Sequence, residues 1–287
     1  MRQLSDAVET VAPPCPFLST AARTAPCWKP GGVCSLRRYR STDGPAIVDP
    51  GDLSIRTTCP SRFEQDQLIY RWIAEVILNT TSAVPIGQVG FLERIPLAGP
   101  ENESTSQRED VGRIDNVLIT PGTNPLQWCP VEIQAVYFSG DSMDGDFKGI
   151  LEHSGEGIPF PRGRRRPDYR SSGPKRLMPQ LQTKVPTLRR WGKKMAVVVD
   201  EDFFENMGRM ETVRDISNCD VAWFVVKFNE TSGSPMIAEG SVHFTELEAS
   251  VQGLIAGRPV TQGKFEERIL AKLARLPSGP IEIPSDE

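Results

Sequence analysis

The run Cys129-Pro130-Val131-Glu132-Ile133-Gln134-Ala135-Val136-Tyr137-Phe138 decides how the chain is read. It is largely apolar, rich in the β-branched and aromatic residues that strands favour, and carries a carboxylate and an amide two positions apart. Side chains alternate across a strand, so Glu132 and Gln134 project from one face. Upstream, Gly112-Arg113-Ile114-Asp115-Asn116-Val117 lies in a second strand-like run, Val111 to Thr120, and Pro121, Gly122, Asn124 and Pro125 connect the two as a meander. In suitable register Asp115 joins Glu132 and Gln134 at the rim of a sheet. Each acid sits inside an apolar run, where a carboxylate needs a partner. A divalent cation such as Mg²⁺ would neutralise two converging acids and keep open positions for water and phosphate. It could then polarise a phosphoryl group and activate the attacking water, as phosphodiester hydrolysis requires. The competing reading makes both acids solvated strand-edge residues. Glu93, in Gly90-Phe91-Leu92-Glu93-Arg94-Ile95, is either a third acid of the site or half of a local ion pair.

Outward from this pair, Ser61-Arg62-Phe63-Glu64 has the form of a capping box. Phe63, Leu68, Ile69, Trp72, Ile73, Val76 and Ile77 follow at helical spacing and predict a buried amphipathic helix to about Asn79. Val89 to Leu97 is a further strand. Met195 to Val199 and, Lys227 apart, Val221 to Phe228 are continuous apolar runs of the kind covered on both faces. Leu177 to Trp191 reads as a helix in which Pro179 and Pro186 argue for breaks, and Phe265, Ile269, Leu270 and Leu273 mark a closing helix. The order predicts an α/β fold with a mixed central sheet flanked by helices, without the regular alternation of a doubly wound protein.

At 287 residues the chain can bury a sizeable core, while its 25 prolines and 24 glycines imply many loops around it. No segment approaches the roughly 20 apolar residues of a membrane span. Met1 to Pro14 contains Asp6 and Glu9 and lacks the apolar centre of a secretory signal, so a cytoplasmic protein is expected. The sequons at Asn79, Asn102 and Asn229 would then go unglycosylated, and the six cysteines would stay reduced.

Four of those cysteines, Cys15, Cys27, Cys34 and Cys59, fall in the first 60 residues, at intervals of 12, 7 and 25. They form no C-x-x-C knuckle. Four thiols in a proline- and glycine-rich segment nevertheless suit a tetrahedral all-sulfur site for zinc or iron, whose binding energy would fold a unit too small for its own core. Residues 1–60 are therefore expected to be an N-terminal metal-binding unit built on four cysteines, and 61–287 the main domain. Cys129 and Cys219 read as small buried hydrophobes.

The net charge of −4 conceals an asymmetry. Arg162 to Lys194 holds twelve basic residues against Asp168 alone, leaving 21 basic and 36 acidic residues elsewhere. Such a block suits a polyanion better than a small molecule. Arg162, Arg164, Arg165, Arg166, Lys175 and Arg176 are the candidate phosphate contacts. Alternatively the Arg-rich stretch is a solvated loop.

Taken in order, Cys15-Pro16-Phe17-Leu18, Thr20-Ala21-Ala22, Cys27, Gly32-Val33-Cys34, Cys59-Pro60 and Val131-Glu132-Ile133-Gln134 resemble the NotI family of type II restriction endonucleases. The likeness spans about residues 15–140. It implies a PD-(D/E)xK nuclease-like core, with Gln134 where many relatives place a lysine. By the same resemblance Asp115 and Glu132 bind Mg²⁺, Glu93 takes an additional glutamate position, and the four cysteines hold a structural metal, iron in the family. Double-stranded DNA is the implied substrate and a homodimer the implied assembly. A non-catalytic, metal-stabilised DNA-binding protein is the main alternative, and a metal-stabilised scaffold for a protein partner is a third.

Overall fold

A computed structural model describes residues 14–19, 23–29, 32–37, 40–41, 48–49, 55–93, 110–140, 142–155, 165–231, 234–257 and 260–275. The chain divides into two units, Met1–Ala256 and Gly257–Glu287. In the first, β1 (Ser35–Arg37), β2 (Arg40–Ser41), β3 (Val48–Asp49) and β4 (Ile55–Thr57) make two antiparallel ladders, β1 with β4 and β2 with β3. A 3₁₀ segment, Pro60–Gln67, leads into α1 (Leu68–Ile73) and a π turn, Ala74–Leu78. Asn79 closes it in the left-handed region at φ 52°, which ends the helix where the periodicity stops. The capping box is not formed. Cys59 is the N-cap with no side-chain bond and Pro60 opens the segment, so Glu64 is released for another role.

Next come β5 (Val84–Pro85), β6 (Val89–Glu93), β7 (Asp110–Ile114), β8 (Asn116–Thr120) and β9 (Gln127–Ile133). They are followed by α2 (Asp144–Leu151), α3 (Tyr169–Ser172), α4 (Met178–Arg190), β10 (Met195–Asp200), α5 (Glu201–Glu205), β11 (Val221–Thr231), β12 (Ser234–Thr245) and α6 (Leu247–Ile255). The central sheet has the order β12-β11-β10-β9-β8-β5, and β10 runs parallel to both β9 and β11 while the other pairs are antiparallel. This is the expected α/β class with a mixed sheet and flanking helices. Pro186 lies inside α4 without ending it. β12 was not foreseen, because Gly240 and its polar residues hide the strand pattern. A side chain at Gly240 would collide with the Val225 carbonyl, where the β11–β12 register shifts.

The sheet is covered on both faces. On one, Phe63, Ile69, Trp72 and Ile73 pack against Leu118, Val131, Ile133, Val198 and Phe224, and Trp72 meets Phe224 edge-on at 5.0 Å. On the other, Leu181, Val185 and Leu188 of α4 and Leu254 of α6 cover Val197, Val199, Trp223 and Val225. Each fully buried side chain of this size contributes about 1.5–3 kcal/mol. Val131 and Ile133 face α1, so strand alternation turns Glu132 toward α4.

The run Val111 to Thr120 is not one strand. β7 pairs with β6 in a separate hairpin through Val89↔Ile114, whereas β8 joins the central sheet through Asn116↔Val131. The chain changes sheets at Asp115. Among the described residues no helix is long and apolar enough to cross a membrane. The second unit contains α7 (Gln262–Leu273), capped by the Thr261 side chain, and its Phe265, Ile269, Leu270 and Leu273 are exposed.

Candidate active site

The change of sheets at Asp115 is what brings the acids together. Asp115 Oδ2 accepts the Ile133 amide at 3.2 Å, which fixes it beside the residue between Glu132 and Gln134. In return the Asp115 backbone amide hydrogen-bonds the Glu132 carboxylate. Glu132 is only 1% exposed. Burial, and then the charge of Asp115, push its carboxyl from 4.5 up to about 7, against the opposing pull of Lys184. The solvated strand-edge reading therefore does not hold for Glu132. Gln134 is also buried and donates from Nε2 to the Ala135 carbonyl at 2.6 Å, which orients its amide.

Two residues were missed from sequence. Glu64 accepts the Tyr70 hydroxyl at 2.9 Å, and its carboxyl is raised chiefly by burial, with Cys59 and Asp115 adding charge repulsion. It is thus a third acid within electrostatic reach of Asp115. Its S-x-x-E setting had concealed it. Lys184, on the core-facing side of α4, places Nζ 2.6 Å from Glu132 Oε1 and 3.1 Å from Gln180 Oε1. Only the isolation of a lysine among Leu181, Val185 and Leu188 could have signalled it. Glu93 is not brought to Asp115. It opposes Asp110 at the far end of the β6–β7 ladder, roughly 16 Å of strand away at ~3.3 Å per residue, and it is exposed.

The segments that carry the N-terminal cysteines are brought together despite their spacing. An antiparallel bridge between Pro14 and Pro26 joins the segments that carry Cys15 and Cys27, and the β1–β4 ladder closes the gap between Cys34 and Cys59. Cys34 hydrogen-bonds Cys59 and feels the charges of Cys27 and Cys15, which together with burial raise it far above the usual thiol range, while the same bond holds Cys59 down at about 5. All four are free of disulfides. This soft donor set fits zinc or iron. Among the described residues, however, no three His, Cys, Asp or Glu side chains are arranged to hold an ion. For Mg²⁺ that arrangement is not required, since one or two carboxylates complemented by water and phosphate suffice. A buried Glu132 whose carboxyl is raised in part by the neighbouring charge of Asp115 fits such a cation. Cys129 and Cys219 are buried, as expected, and burial pushes their thiols up to about 12 and about 11.

The basic segment is not one electrostatic block. Arg162 and Arg164 lie outside the described residues. Arg165 pairs with Asp146, Arg189 with Asp220 and Glu248, and Lys194 donates to the Ser217 carbonyl at 2.8 Å. Arg166, Lys175 and Arg176 are exposed. Arg176 lies 3.8 Å above the Tyr137 ring, in a cleft of about 430 Å³ that also includes Lys29 and Thr58 of the cysteine segment. Exposed charge therefore stands beside the cysteine segment, just beyond the strand that carries Glu132.

The family model described as restriction endonuclease NotI matches residues 3–237. The chain belongs to the NotI restriction endonuclease family. A comparison with curated proteins returned no match. Membership implies a nuclease that binds and cleaves double-stranded DNA. In this NotI-family chain the raised Glu132 carboxyl has a measurable consequence for stability. The folded state holds a proton that the unfolded chain releases, so this stabilisation is complete below about 4.5 and is lost as pH rises through about 7. In a metal-free buffer the thermal midpoint should fall between about pH 5 and about pH 8, and Glu132→Gln should flatten that part of the profile. An unchanged slope in the variant would assign the loss to other groups.

Proposed function

We propose that this protein is a type II site-specific deoxyribonuclease that hydrolyses both strands of a duplex site, with Asp115 and Glu132 as the Mg²⁺ ligands. The observation that carries the reading is the hydrogen bond from the Ile133 amide to Asp115, which sets a half-buried aspartate beside the buried Glu132. In bound form Mg²⁺ would polarise the scissile phosphate and lower the pKa of the attacking water. Asp115 and Glu132 would hold it. Gln134 orients water or phosphate through its amide, which can do so but carries no charge. Tyr70 fixes the Glu64 carboxylate by donating to it. The core is of the PD-(D/E)xK type, in a domain over residues 61–287.

Arg162, Arg164, Arg165, Arg166, Lys175 and Arg176 are the phosphate contacts in this reading, supported by the exposure of Arg166, Lys175 and Arg176 beside the Tyr137 cleft. Cys15, Cys27, Cys34 and Cys59 hold a structural zinc or iron in residues 1–60, and Glu64 links that unit to the acids through the charges it shares with Cys59 and Asp115. Two copies acting on a two-fold site would cut both strands. Unmodified genome-sized DNA incubated with the full chain and Mg²⁺ should resolve into discrete fragments, and chelation should leave it whole. Intact DNA under every divalent cation, with binding retained, would support the non-catalytic alternative.

A further inference from the structure

Lys184 occupies a position that helix packing reserves for an apolar side chain. Leu177, Leu181, Val185 and Leu188 form the buried stripe around it, and its own side chain is 6% exposed. Ion pairs buried this deeply are seldom more stabilising than an apolar packing of similar volume, so stability alone does not explain a lysine there. Its geometry is specific. Nζ is 2.6 Å from Glu132 Oε1 and 3.1 Å from Gln180 Oε1. An ammonium has three N–H donors, and these contacts account for two. Asp115 lies within charge reach of two further carboxyls, Glu64 and Glu132, and Lys184 is the cation bonded to Glu132. With all three ionised, the cluster lacks two positive charges, which matches one divalent cation.

We propose that Lys184 is the positioning residue of this site, supplying from α4 the positive charge that a strand lysine at Gln134 would have supplied. It acts through Glu132, holding Oε1 in place while the adjacent charge favours an arriving phosphate. The inference rests on the nuclease reading of the same acids. Gln180, half-buried on α4, holds Lys184 in turn.

Single-turnover cleavage, DNA binding with Ca²⁺ in place of Mg²⁺, and calorimetric Ca²⁺ titration without DNA test the proposal on the full chain. Lys184→Met should cut at least ~100-fold more slowly at saturating Mg²⁺, in the range seen when one charge-stabilising donor is removed, with DNA binding within about threefold of wild type. Lys184→Arg should recover at least ~10-fold of that loss, because it restores the charge but not the shape. Ca²⁺ should bind Lys184→Met at least ~3-fold more tightly, because a cation opposing it has gone, and a merely structural lysine would not produce that shift. If Lys184→Met does not fold, Gln180→Leu should slow cutting about fivefold or more at an unchanged thermal midpoint. Cutting by folded Lys184→Met within threefold of wild type, or an unmoved Ca²⁺ affinity, would overturn the proposal, as would unchanged cutting by Gln180→Leu. A wild-type chain that cuts no DNA overturns the nuclease reading and this inference together, whereas equal cutting by wild type and Lys184→Met overturns only the inference.

Discussion

Glu132→Gln should cut DNA at least ~1,000-fold more slowly than the wild-type chain, with its fold and its DNA affinity retained. The carboxylate is one of two proposed cation ligands, and an amide of the same shape keeps only weak affinity for a hard cation. The choice of glutamine matters because of Lys184. Glu132→Ala removes the partner of a buried ammonium, and an uncompensated buried charge costs about 3–5 kcal/mol, a large fraction of a typical fold's stability. An alanine variant would therefore lose activity partly by unfolding. Glu132→Gln leaves an oxygen acceptor for Nζ at the position now 2.6 Å away. Single-turnover rates beside thermal midpoints separate the two effects. Cutting by Glu132→Gln within tenfold of wild type would remove Glu132 from the chemistry.

Replacing Cys34 by alanine should strip the N-terminal segment of its proposed metal and unfold it locally. Cys34 is the thiol that senses all three others, and the unit around it relies on two short ladders and one bridge for order. Structural zinc contributes about 10–16 kcal/mol to the folding of comparable small sites. Elemental analysis should find about one zinc or iron per wild-type chain and less than about a tenth of that in Cys34→Ala. Proteolysis should then open the segment between Cys15 and Cys59. The loss should reach the acids, because Glu64 shares charge with Cys59 and the Thr57 amide is held by Asp200 at 2.8 Å. A metal content unchanged by Cys34→Ala would contradict the four-thiolate site.

Much of the sheet was readable from sequence because its central strands are unambiguous. Met195 to Val199 is apolar throughout and Val221 to Phe228 is interrupted only by Lys227, and the structure buries every residue of β10. The pairing of Asp115 with Glu132 and Gln134 was also accessible, since strand alternation places Glu132 and Gln134 and the intervening turn is short. What hid the rest was ambiguity of context. A carboxylate three residues after a serine signals a helix cap, yet Pro60 opens that segment and leaves Glu64 to the acids. A lysine in a run of twelve basic residues reads as a DNA contact, yet the stripe of α4 turns it inward. Val111 to Thr120 looked like one strand because local pattern does not reveal that its halves serve different sheets. Glu93 matched by order along the chain, whereas the hairpin register carries it away from Asp115.

Sequencing the ends of fragments cut from a large unmodified DNA by the full chain with Mg²⁺ tests the central claim most directly. Site-specific hydrolysis at Asp115 and Glu132 predicts one short recurring sequence at every end, and no ends when Glu132→Gln replaces the wild type. Ends at random sequences, or the same ends from the variant, would contradict it.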